Sequence, residues 1–146
     1  MPLGDWTVLP ISIKSEKNGK IKLKLLLDTN AIVDFLKQKN DPLDLSSLIL
    51  QHECFVSVIV KLELLKYPDI TPSEEYAITE FLQFVPILPL NEAIENETIA
   101  ISRATKLKLP DAIIGATAIV YDAKVVTRDP HFLKCQYKKL LTWDNT

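Results

Sequence analysis

Four carboxylates stand where apolar runs give way to turns or helices. They are Asp28 in LLLDTN, Glu63 in VSVIVKLELL, Asp111 in LPDAIIGATA and Asp129 in VVTRDPHF. An acid at the end of a buried strand, or on the first turns of the helix that follows, points at one edge of a parallel sheet. Four carboxylates meeting there would repel one another unless a cation joined them. Hard oxygen donors of this kind suit Mg²⁺ or Mn²⁺ rather than zinc. The chemistry they would support is metal-assisted attack on a phosphodiester.

Each acid has a plainer explanation when taken singly. Asp28 closes a run of three leucines, where a carboxylate is costly unless it faces a polar cleft or a cation; it could also be a helix cap. Glu63 sits among Leu62, Leu64 and Leu65 and could lie on the solvated face of an amphipathic helix. Asp111 follows Pro110, and an acid in a first helical turn is also what the helix dipole favours. Asp129 could be a turn acid before Pro130. Asn30, two residues after Asp28, is placed to hydrogen-bond the acid and orient it. His52 and His131 are not at paired ligand spacing, and a lone histidine is more often a surface or core residue. No G-x-S-x-G, G-x-x-x-x-G-K-[ST] or G-x-G-x-x-G occurs, so neither a serine nucleophile nor a glycine phosphate loop competes. Neither cysteine has a helix-start or histidine context that would activate it.

The elements that must position these acids alternate between strand and helix. Residues 11–28 alternate in hydropathy around Asn18-Gly19, a hairpin signal. Its second arm ends in Leu25-Leu26-Leu27, the continuous apolar run of a central parallel strand; the first core strand is expected over residues 23–28. Residues 1–22 are expected to be an N-terminal extension or hairpin arm, and 23–146 a single domain. Thr29 or Asn30 can cap a helix carrying Ile32, Val33, Phe35 and Leu36. Asp41-Pro42 restarts a second helix through Leu50. Residues 54–58 read as a strand, with Ser57 capping the helix that carries Glu63. Pro72 opens another helix. Residues 84–88 read as a strand that Pro86 demotes toward an edge. Residues 91–107 form an amphipathic helix with Ala93, Ile94, Ala100, Ile101 and Ala104 inward. Pro110 starts an apolar helix to about Tyr121. Residues 124–127 make a buried strand and 138–143 a last one. The pattern is that of a three-layer α/β/α sandwich with a mainly parallel sheet of about five strands.

Composition bounds the reading. A chain of 146 residues, 47% hydrophobic and 25% charged, has the size and balance of one globular domain with a real core. The net charge of −2 supplies no global basic field, so a nucleic-acid partner would be bound through local patches. Cys54 and Cys135 form no C-x-x-C pair. The start, MPLGDWTVLPISIK, lacks a basic segment followed by an apolar core, and no apolar stretch is long enough to span a bilayer. A cytoplasmic protein with reduced thiols, off the membrane, is expected.

The order LLLDTN, VSVIVKLELLKYP, LKLPDAIIGATA, VVTRDPHF resembles a PIN-domain ribonuclease, and most closely the VapC-type toxins of bacterial toxin–antitoxin pairs. The resemblance runs from about residue 23 to residue 135, and LPDAIIGATA and TRDPHF carry it most strongly. It implies that Asp28, Glu63, Asp111 and Asp129 form the family's metal-binding acidic cluster, with Asn30 and Thr127 at the polar positions that support the acids. It implies cleavage of RNA with Mg²⁺ or with Mn²⁺ in its place. It also implies a homodimer held inactive by a cognate antitoxin. Two features depart from the pattern: the first twenty or so residues have no counterpart in a compact toxin, and many relatives carry Asn at the position of Asp129.

RNA needs positive charge beside the acids. Arg128, adjoining Asp129, is the first candidate, with Lys37, Lys39, Lys134, Lys138 and Lys139 near it; Lys14, Lys17, Lys20, Lys22 and Lys24 form a second stripe. A run of lysines is more often a solvated face. Two other functions stay open from sequence. One is a Mg²⁺-dependent phosphatase on a parallel sheet, against which Asn30 stands where a second acid is needed. The other is a catalytically silent PIN-fold module that binds RNA or protein.

Overall fold

Leu25, Leu26 and Leu27 are each 0% exposed. Successive residues of a strand face opposite sides of a sheet, so the sheet is covered on both faces, as a layer between two layers of helices. The computed structural model of the chain describes residues 22–37 and 44–143. The Asn18-Gly19 hairpin, the extension through residue 21, the helix start at Asp41-Pro42, and Lys14, Lys17, Lys20 and Lys39 lie outside the described residues.

In chain order the elements are β1 (Lys24–Leu27), α1 (Thr29–Lys37), α2 (Leu45–Gln51), β2 (Glu53–Ser57), α3 (Val58–Leu65), α4 (Pro72–Phe84), β3 (Ile87–Leu88), α5 (Glu92–Ala104), α6 (Leu109–Val120), β4 (Lys124–Val126) and α7 (Pro130–Leu133). The strands lie in the order β3-β2-β1-β4, and each neighbouring pair is parallel. Parallel pairing turns every strand's carboxyl end to one edge. β1, the most buried strand, is central and delivers Asp28 to that edge between β2 and β4.

Several helix starts follow their sequence signals. The Ser57 hydroxyl accepts from the Ile59 N–H at 3.2 Å and caps α3. Thr71 and Glu74 form a reciprocal capping box at α4, which explains why Glu74 is buried.

Four expectations need correction. The described sheet has four strands, not about five. Residues 138–143 form no strand, because the Leu140 N–H turns back to the Tyr137 carbonyl at 2.9 Å. Pairing begins only beyond that turn, with one isolated parallel bridge between Val125 and Thr142. The expected strand over 84–88 shrinks to Ile87–Leu88, since α4 runs through Phe84. Pro86 has no N–H, but its carbonyl accepts from Val56 N–H at 3.0 Å, and β3 lies at the sheet edge. On α5 the buried residues are Ile94, Thr98 and Ile101, while Ala93, Ala100 and Ala104 are exposed. Thr98 tolerates burial because its hydroxyl donates to the Ile94 carbonyl at 2.7 Å.

A small second core joins α5 to α6 through Ile94, Ile101, Ala112 and Ala116. It packs α6, which carries Asp111, against α5.

Candidate active site

Asp28 leaves β1 still in register with its neighbour. Its N–H donates to the Val126 carbonyl of β4 at 3.0 Å, and its own carbonyl accepts the first helical N–H of α1, from Ile32, at 3.3 Å. Asp28 therefore occupies the capping position that Thr29 or Asn30 was expected to fill. Those two residues are freed for the site. The Thr29 hydroxyl donates to Glu63 Oε1 at 2.8 Å, tying the start of α1 to α3. The Asn30 amide donates to Asp28 Oδ2 at 3.3 Å, and Asn30 Oδ1 accepts the Arg128 N–H at 3.2 Å.

Thr127, the residue after β4, is the hub of the arrangement. Its buried hydroxyl donates to Asp28 Oδ2 at 2.7 Å, and Thr127 Oγ1 in turn accepts the Asp129 N–H at 2.9 Å. Asn30 Nδ2 lies 3.4 Å away as a second donor. One side chain thus orients one acid directly and another through its backbone. Asn30 and Thr127 hold the supporting positions expected of them.

Asp28, Glu63, Asp111 and Asp129 all line one cleft of about 340 Å³, together with Lys37 and Tyr67. Asp34, on α1, lines it too; sequence reasoning passed over it, although it follows Asn30 by four residues and so shares its helix face. Arg128 Nε stands 2.9 Å from Asp34 Oδ2, an ion pair within the chain that occupies the cation first considered for RNA. Lys134 lies away from this cleft, on the wall of a neighbouring one.

The acids differ in how they are held. Asp129 caps α7, its Oδ1 accepting from His131 N–H at 2.9 Å and lying 2.8 Å from His131 Nδ1. The turn role expected as its alternative is therefore real, and Asp129 lines the cleft as well. Asp111 sits in the first turn of α6. Asp28 is only 4% exposed, and burial pushes its carboxyl up to about 6. The Thr127 and Thr29 hydrogen bonds oppose that shift, and the negative charges of Asp111 and Glu63 add to it. Burial likewise raises Asp111, reinforced by Asp129 and Glu63 and opposed by His131 and Lys108. Among the described residues, none of Asp28, Glu63 and Asp111 has an ion-pair partner.

The donor set suits a hard divalent cation in kind: oxygens, concentrated negative charge, and a carboxyl made hard to ionise by its burial. It is not drawn tight. Among the described residues no three His, Cys, Asp or Glu side chains already converge so as to hold a metal ion. Glu63 is tethered to Thr29 and Asp129 to the start of α7, so the acids line the walls of the cleft instead of meeting at a point.

Comparison with known proteins places this architecture. No curated protein matches the chain. A toxin–antitoxin complex from Klebsiella pneumoniae is similar at 25% identity and a TM-score of 0.65, over 81% of this chain and 96% of that one. VapBC2 from Rickettsia felis, bound to a DNA fragment from its promoter, is similar at 20% identity and a TM-score of 0.70, over 84% and 100%. VapBC-1 from nontypeable Haemophilus influenzae is similar at 21% identity and a TM-score of 0.66, over 84% and 98%. The family model described as "PIN domain" matches residues 25–136, a span that holds all four acids and the hub that orients them; the chain belongs to the PIN-domain family.

Proposed function

We propose that this protein is a Mg²⁺-dependent endoribonuclease, with Mn²⁺ able to substitute, and that it is the toxin of a toxin–antitoxin pair. The observation that carries the reading is Asp28: a carboxyl buried at the carboxyl edge of a parallel sheet, facing a cleft with Glu63, Asp111 and Asp129 and lacking a cationic partner among the described residues. Such an arrangement is costly as a structural device and apt as a cation site. Asp28, Asp111 and Asp129 hold the ion, and Glu63 completes the site or positions water. Held by these residues, a divalent ion would supply activation of water for attack and charge to offset that of the phosphate. Thr127 and Asn30 fix Asp28, and Lys37 lines the cleft as a cation for the RNA backbone.

The toxin role rests on the likeness to proteins of toxin–antitoxin complexes. Leu62 and Leu109 also support a protein partner. Leu62 adjoins Glu63 and Leu109 stands two residues before Asp111; they are 56% and 62% exposed, apolar surface that a covering antitoxin segment would bury. The reading includes a homodimer in the cytoplasm. No described helix is long and apolar enough to cross a membrane.

Expression of the wild type and of Asp28→Asn in cells, with sequencing of new RNA 5′ ends, tests this. New ends and growth arrest are expected from the wild type and neither from the variant. Cleavage that survives Asp28→Asn sinks the catalytic assignment. The acids' failure to converge unaided keeps one second reading in play, a silent module that binds RNA or protein. Purified protein that binds RNA and never cuts it with Mn²⁺ present would favour that reading.

A further inference from the structure

Beyond the acidic cleft lies a larger one of opposite sign. It encloses about 700 Å³ between the end of α5 with the loop after it and the segment from α7 through residue 138. Lys106, Lys134 and Lys138 line it together with His131 and Tyr137, and no aspartate or glutamate does. All three lysines are exposed, and among the described residues none forms an ion pair. The nearby Glu97 is already taken by the Tyr137 hydroxyl at 2.9 Å and by Lys139 at 3.6 Å. That bond anchors the Tyr137 ring at the wall of the cleft.

The two clefts abut along the chain. Asp129 lines the acidic one, and Pro130 and His131, the next two residues, line the basic one. A ligand crossing from one to the other would meet carboxylates at one end and free ammonium groups with an aromatic ring at the other. Phosphodiesters answer the lysines, and a base stacks on a tyrosine; this is the pattern of single-stranded nucleic-acid grooves.

We propose that this basic cleft is the strand-binding subsite that seats single-stranded RNA flanking the phosphate at the acids, with Lys106, Lys134 and Lys138 on the backbone and Tyr137 under a base. The inference rests on the nuclease reading and adds to it the path of the strand.

Fluorescence anisotropy with labelled oligouridylate, in EDTA so that nothing is cut, tests the proposal. The Lys106→Ala/Lys134→Ala/Lys138→Ala variant is expected to bind at least tenfold more weakly. Its log-log salt slope should be shallower by about 2, near 0.7 for each lost phosphate contact on a single strand. Tyr137→Leu, which removes the ring, should weaken binding several-fold. A single charge reversal, Lys134→Glu, provides a check that needs only one exposed residue to change, and it too should weaken binding. Wild-type affinity and salt slope in the triple variant overturn the subsite, even where the wild type cuts RNA with Mn²⁺. Loss of antitoxin binding with RNA binding intact also overturns it, and assigns the cleft to the protein partner. If the wild type never cuts RNA with Mn²⁺ yet the lysine variants lose binding, the subsite stands and the nuclease reading falls.

Discussion

At the scale of single residues the costliest feature is the Asp28 carboxyl. In the folded chain it titrates near 6, against an ordinary 3.8. The native state therefore holds this proton more tightly than the unfolded state does. Where the unfolded chain binds fewer protons, stability falls as pH rises. The penalty is absent below about 3.8, grows across the window between the two values, and is complete above about 6, on the order of 3 kcal/mol. Asp28→Asn removes it while giving up part of the hydrogen bonding from Thr127. Without metal, the variant is expected to match or fall below the wild type near pH 4 and to exceed it by about 1–2 kcal/mol near pH 7.5. Urea denaturation at both pH values in EDTA measures this, and an identical difference at the two would refute the assigned cause. A variant that is dead and more stable is the signature of a site maintained for chemistry. Residue types pointed to the four acids that line the cleft, Asp28 ending an apolar run and the others standing near one. They did not announce Asp34, whose helical spacing from Asn30 was legible but whose partner Arg128 lies across the fold. Nor did they reveal that Thr29 serves Glu63 rather than the helix end.

At the scale of elements, the sheet edge and the α5–α6 pair hold the site. Apolar runs and caps made β1, β2, α3, α4 and α6 readable in the sequence. Misreadings fell where tertiary context outvotes local pattern. The alanines of α5 have helical spacing, yet the face that meets α6 is chosen by Ile94, Thr98 and Ile101. The apolar residues of 138–143 read as a strand, yet the turn at Tyr137 uses up the first backbone group. Gly115 lies in α6 at this packed junction, and a Cβ built there would sit 3.4 Å from the Leu140 methyls and 3.5 Å from Ile101. Those are flexible side-chain ends at ordinary contact. Gly115→Ala should therefore stabilise by about 0.5–1 kcal/mol through reduced backbone entropy, and Gly115→Leu should destabilise by crowding. A rise in Tm for the first and a fall for the second would agree; a fall for both would show that the junction has no room for a methyl.

At the scale of the whole molecule, a net charge of −2 conceals a strong local division. One cleft gathers Asp28, Asp34, Glu63, Asp111 and Asp129, and its neighbour gathers Lys106, Lys134 and Lys138. Composition could not display this, because the charges are assembled by folding from positions spread over the chain. A cation that binds only the folded form stabilises it by mass action. Addition of Mn²⁺ to chelator-stripped protein should raise Tm, by several degrees once the ion stands at about a hundred times its Kd. The rise should shrink in Asp28→Asn. An unchanged Tm for the wild type would argue against a cation site in this cleft. The Thr127 hydroxyl reaches an acid 99 positions earlier in the chain, and Asp129 follows two residues later. A ribosome thus builds that whole span before the proposed centre can exist. Fragments released before Thr127 lack both the clasp and the final acid, so stalled synthesis would yield pieces without the proposed centre.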